Sequence, residues 1–394
     1  MQRKHKTTVA VAASLSGVLI AGGLAASSSA ATGASPEPVV TTAPPLAADG
    51  DLPNVVVLDG GGTITSTAVG RAEYTEYGGD GLESIQDVID RIEPEISQVA
   101  DLRVVDGAIP GSSASTTQRQ LYDMTLQLDG ILADDSVDAV VVNTGTNIME
   151  EIAYWADLTV QSEKPVVFTG SMRQSNTFSF DGEANLFNAI RVAASGKTTC
   201  FGTVVHMNDE FVGAREMTKT DAWRTDTFSG GRYGALGTVD GRHIRAVHAP
   251  ARVLDCGTDE WTTPFDLSTV AFEDLAQVEI VMSYVEADAT PVTALAEAGV
   301  DGIVTAGHGA GGISTEQSAA RSAAVEQGVV FATTTRTGSG AIYPSDPATP
   351  GVVAAYDLTP QKARVLLQLA LTFTDDPQQV QQWFDTIGSP EFGG

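Results

Sequence analysis

Cationic side chains are scarce. Lysines and arginines number 22 against 50 aspartates and glutamates, giving a formal charge of −28. So negative a balance argues against nucleic acid or an anionic membrane surface as a partner, since both would repel it. The acidic residues are spread without long runs, the pattern of a solvated surface. Cysteine is nearly absent. Cys200 and Cys256 allow one disulfide or two buried thiols, and neither has the neighbouring ligand spacing of a zinc site. Aromatic residues make up only 6%. Also missing are the Gly-Lys-Ser/Thr of a phosphate loop and, in Gly60-Gly61-Gly62-Thr63-Ile64-Thr65, the third glycine of a dinucleotide fingerprint.

What is present is an ample hydrophobic fraction of 42%, 40 glycines, and 394 residues, a comfortable length for two domains. Arg3, Lys4 and Lys6 precede an apolar stretch from Val9 to Ala26, and Ser28-Ser29-Ala30 resembles a cleavage site. We expect a signal peptide over 1–31, and hence a secreted, periplasmic or extracellular location with no membrane partner after cleavage. A Pro-, Ala- and Thr-rich linker is expected over 32–51.

Asn54 to Leu58 is a run of mostly β-branched residues that ends in three glycines and Thr63. It reads as a buried parallel strand turning at its carboxyl end, where open α/β sheets collect ligands. The strand-to-turn pattern recurs at Val137–Asn143 before Thr144-Gly145-Thr146-Asn147, at Pro165–Thr169 before Gly170-Ser171-Met172-Arg173, and at Thr199–Met207 before Asn208-Asp209. With the intervening helices this predicts a larger N-terminal doubly wound α/β domain over 52–250. A connector over 251–275 and a smaller C-terminal α/β domain over 276–394 follow. Phe211–Gly237 is less regular and carries Thr218-Lys219-Thr220; a lysine whose pKa is lowered by partial burial can accept a proton.

Jointly, these segments resemble the bacterial type II L-asparaginases of the glutaminase–asparaginase family, from about Leu52 to Phe384. Leu58-Asp59-Gly60-Gly61-Gly62-Thr63-Ile64 looks like the first signature and Gly145-Thr146-Asn147-Ile148-Met149-Glu150-Glu151 like the second. Thr218-Lys219-Thr220 and Pro360–Leu371 are also family-like. The resemblance implies hydrolysis of the asparagine side-chain amide without metal or cofactor, in a homotetramer with shared sites. It implies Thr63 as nucleophile, oriented by Tyr74 or, as the alternative register, Tyr77. Thr146 and Lys219 become a second hydroxyl–amine pair, Ser112 the holder of the substrate α-carboxylate, and Ser113, Asn147 and Ser171 further substrate contacts. An acid lent by a neighbouring subunit has Asp346 as its candidate.

The chain departs from the family pattern at Gly60, where a threonine is usual and the turn should loosen, at Thr144 in place of histidine, and at Ser113 in place of a longer polar residue. Asn147 replaces the aspartate that meets the substrate ammonium, so an acceptor is kept and a charge lost. Two other readings stay open. One is an amidohydrolase acting on glutamine or amine-blocked amides. The other is a catalytically weak member serving as an exported binding protein, against which the paired hydroxyls and lysine argue.

Overall fold

The computed structural model describes residues 51–109, 111 and 113–392; the expected leader and all of the expected linker but Asp51 lie outside them. The chain opens with β1 (Asn54–Gly60), then a hairpin of β2 (Ser66–Ala68) and β3 (Tyr77–Leu82). Next come α1 (Ile85–Arg91), β4 (Asp101–Asp106), α2 (Gln118–Leu132), β5 (Ala139–Thr144), α3 (Met149–Thr159), β6 (Val166–Thr169), α4 (Gly182–Ala194) and β7 (Thr203–Met207). Capping boxes start two of these helices, Ser84 with Asp87 at α1 and Thr117 with Gln120 at α2.

Strands β4, β1, β5, β6 and β7 lie side by side and all parallel. The chain leaves β1 toward β4 on one side and β5 toward β6 on the other. β1 and β5 therefore flank the point where the winding reverses, and the crevice opens at their carboxyl ends. Alternation along β1 feeds two cores: Val56 and Leu58 pack with α2 and α3, while Val55 and Val57 pack with α1 and α4.

The irregular stretch after β7 turns out to extend the same sheet. β8 (Glu210–Gly213) pairs antiparallel with β7, and the ribbon β9 (Thr218–Lys219) with β10 (Phe228–Ser229) stands apart from it. β11 (Gly237–Asp240) and β12 (His243–Ala246) complete an eight-stranded mixed sheet. These strands are only four residues long, too short to show an alternating pattern in the sequence.

Residues 251–274 form a series of 3-10 turns, tied down by the Cys200–Cys256 disulfide and by buried Trp261, whose indole N–H donates to the Cys200 carbonyl at 3.0 Å. A second, parallel sheet follows: β13 (Val278–Met282), α5 (Thr290–Ala298), β14 (Gly302–Gly307), α6 (Thr315–Val325), β15 (Val330–Thr335) and β16 (Val352–Ala354), then α7 (Pro360–Phe373) and α8 (Pro377–Trp383). Helices α5 and α6 cover one face of this sheet. On the other, α7 shares a continuous core with α3 of the larger unit. Among the described residues no helix is long and apolar enough to cross a membrane.

Candidate active site

The turn after β1 is built by Asp59. Its carboxylate accepts the Gly61 N–H and the Asn143 side-chain amide, both at 2.8 Å, which ties the end of β1 to the end of β5. Gly62 has φ 97°, and a β-carbon there would lie 2.5 Å from the Cα of Gly145. The loops leaving β1 and β5 thus touch backbone to backbone, which only glycine permits. Gly60 is equally confined: a β-carbon would meet the Asn143 carbonyl at 2.5 Å. Our expectation that Gly60 loosens the turn is therefore corrected, because there is no slack at that position to exploit.

Thr63 begins a short 3-10 turn and is nearly buried, and its hydroxyl lies 3.2 Å from the Tyr77 hydroxyl. Tyr74, named first from the sequence, does not take that place. The hairpin register sets Tyr77, the first residue of β3, opposite Ala68 with a bulge beside it, and so folds its ring back over Thr63. Tyr74 stays in the connecting loop, its ring 5.0 Å from the Arg173 guanidinium.

On the β5 side, Thr146 is buried, and the Lys219 ammonium donates to its hydroxyl at 3.0 Å. Lys219 is half-buried on β9, its backbone N–H donating to the Glu150 carboxylate at 3.3 Å. Burial pushes its amine below the ordinary lysine value, while Glu150 and Asp221 pull it back up. Glu150 lies in the first turn of α3. Ser113 is buried and its hydroxyl accepts the Asn147 N–H at 3.2 Å, so it shapes the Gly145–Asn147 turn. The Asn147 side chain is exposed.

Ser171 follows Gly170, where a β-carbon would lie 3.5 Å from the Thr146 Cγ2. It is fully buried, and its hydroxyl donates to the Arg173 carbonyl at 2.8 Å, a turn-forming contact. Ser112 lies outside the described residues. Asp346 is exposed on the loop between β15 and β16. Among the described residues, Glu163, Cys200 and Cys256 have donor atoms close enough to share a metal ion, but the disulfide consumes both thiols. Sequence reasoning had missed Asp59, Asn143 and Glu150 as supports of the site. Asp59 and Glu150 sat inside the quoted motifs, but nothing in their spacing said what they would hold.

Two hydroxyls on touching loops at a sheet switch point, one facing a phenol and the other an amine, form an arrangement suited to acyl transfer. Residues 54–252 match the family described as Asparaginase, N-terminal, and residues 277–384 match the Glutaminase/Asparaginase C-terminal domain. The chain belongs to the asparaginase family. It is similar to the type II members in particular. L-asparaginase 2 of Escherichia coli strain K12 is 37% identical over 85% of this chain and 93% of its own length. L-asparaginase 2 of Bacillus subtilis strain 168 is 36% identical over 85% and 87%. Among solved structures, a probable cytoplasmic L-asparaginase from Campylobacter jejuni superposes with a TM-score of 0.77 at 32% identity, covering 84% of this chain and 99% of that one.

Proposed function

We propose that this chain is an L-asparaginase that hydrolyses the side-chain amide of L-asparagine to L-aspartate and ammonia, with Thr63 as nucleophile. The observation that carries the reading is the pairing of Thr63 with Tyr77 beside the pairing of Thr146 with Lys219. A threonine hydroxyl is a weak nucleophile near neutrality and needs a group to orient it and take its proton. Tyr77 stands at hydrogen-bonding distance to orient it, and the Thr63 proton passes to the departing amide nitrogen as attack proceeds. Attack on the amide carbon gives a tetrahedral oxyanion, and the backbone N–H of Thr146 is our candidate donor to it. Ammonia leaves with a proton from the site, and the Thr63 ester remains. Water then attacks that ester: the Thr146 hydroxyl takes the water proton as it passes its own to the free-amine form of Lys219, a form the lowered pKa makes easier to reach, and collapse returns that proton to the departing Thr63 oxygen and frees aspartate.

The wider reading has four parts. The folding units are 52–250, a connector over 251–275, and 276–394. The first 31 residues direct export, which agrees with a Cys200–Cys256 bridge, since disulfides persist in oxidising compartments. The working form is a homotetramer. Ser112 holds the substrate α-carboxylate. Asn147 favours a second substrate reading, because a neutral amide where an ammonium must be met penalises amine-blocked amides less, whereas glutamine carries the same ammonium as asparagine and gains nothing from it. Ammonia release from asparagine by purified wild type and Thr63→Ala tests the main proposal. We expect turnover in the first and a loss of several orders of magnitude in the second, with unchanged thermal unfolding. Near-normal activity of Thr63→Ala would end the nucleophile assignment.

A further inference from the structure

The first turn of α7 belongs to the small-sheet half of the chain, yet its polar contacts reach the other half. Lys362 is fully buried, and its ammonium donates to the carbonyls of Ala214 at 2.8 Å, Arg215 at 2.6 Å and Met217 at 2.5 Å. An ammonium has three protons and no acceptor, so these bonds saturate it. A satisfied buried lysine is by itself only what stability requires. What sets this one apart is the segment it holds. Residues 214–217 join β8 to β9, and Lys219 lies two residues beyond the last of the three carbonyls.

The preceding residue acts on the same target by another route. The Gln361 side-chain amide donates to one oxygen of the Glu150 carboxylate at 3.0 Å, and the other oxygen of that carboxylate accepts the Lys219 N–H. Adjacent residues of one helix therefore restrain Lys219 from two directions, through the chain before it and through the carboxylate that receives its backbone.

We propose that Gln361 and Lys362 are positioning residues for the proton-transfer pair, holding the Lys219 amine on the Thr146 hydroxyl from the far half of the molecule. The inference rests on the reading of Lys219 as a proton-transfer group. Burial pushes the Lys362 amine down to about 8, with Glu150, Glu216 and Asp157 opposing that shift and Arg215 adding to it, so Lys362 keeps its full set of donors near neutrality.

The experiment compares kcat, KM and thermal midpoint for wild type, Gln361→Met, Lys362→Met, Lys219→Met and the double variant Lys219→Met/Gln361→Met in the full chain. Misplacing a reacting group by about 1 Å costs up to roughly 100-fold in rate. We expect Gln361→Met to lower kcat about 5- to 20-fold and Lys362→Met up to about 100-fold per folded molecule, with KM within about twofold in both. Because Gln361 acts through Lys219, adding Gln361→Met to Lys219→Met should remove no further activity. A merely structural role would lower the midpoint and leave kcat of the folded fraction intact; that result overturns the proposal. Should Lys362→Met not fold, Gln361→Met, whose side chain is only half-buried, decides alone. Full activity in Lys219→Met would remove the reading of Lys219 and this inference with it. A dead Lys219→Met beside a fully active Gln361→Met overturns the positioning alone.

Discussion

Two tyrosines three residues apart occupy different places in this structure. Tyr77 lies within hydrogen-bonding reach of Thr63, whereas Tyr74 rests against Arg173. Tyr77→Phe should lower kcat by about 100-fold, the cost of a misplaced reacting group, while Tyr74→Phe stays close to wild type. Steady-state kinetics of the two variants check this, and equal losses would contradict it. Asn147 is the other residue whose chemistry can be read singly. Asn147→Asp restores a charge-assisted contact to a substrate ammonium and should lower KM for asparagine about 5- to 150-fold, as expected for roughly 1–3 kcal/mol. An unchanged KM in the folded variant would mean that the ammonium is met elsewhere.

At the scale of elements, the loops after β1 and β5 act as one body, because Gly62 abuts Gly145 and Asp59 grips Asn143. Gly62→Ala places a methyl group 2.5 Å from a neighbouring Cα at φ 97°, so it should destabilise by a few kcal/mol and displace Thr63. Urea unfolding and residual activity measure both effects. The strands behind these loops were legible from the sequence, since buried parallel strands are unbroken apolar runs closed by small polar turns. The hairpin that delivers Tyr77 was not. Its register depends on a bulge between Ser66 and Ala68, and nothing in a polar, glycine-containing stretch fixes which tyrosine falls opposite Ala68. Ser171 engages a local carbonyl, as a serine in a turn readily does. Gln361 and Lys362 lay in a family-like segment, but their partners are more than 140 residues away in sequence, and no local pattern encodes such a contact.

For the molecule as a whole, two features set its response to conditions. The Cys200–Cys256 bridge closes a loop with a sequence separation of 56, worth about 4 kcal/mol by chain entropy. Cys256→Ser should therefore lower the thermal midpoint while leaving kcat at 25 °C near wild type; calorimetry with and without reductant checks it. His206 is fully buried and pushed down to about 4, chiefly by burial. The unfolded chain binds a proton at about 6.5, so the stability tied to this histidine is complete above that pH and is lost as pH falls toward about 4. The slope of unfolding free energy against pH over this window should be shallower in His206→Gln, and an unchanged slope would discount the histidine.

The grip of Lys362 on residues 214–217 also bears on how the protein is made. Synthesis runs from the amino terminus, and early segments begin to fold before late ones emerge. The turn that carries Lys219 is made long before the helix that holds it, so until α7 arrives the amine lacks both of its restraints. Amidase activity should therefore appear only once residues 360–362 have emerged and packed, and a chain truncated ahead of them should be far less active than the full one.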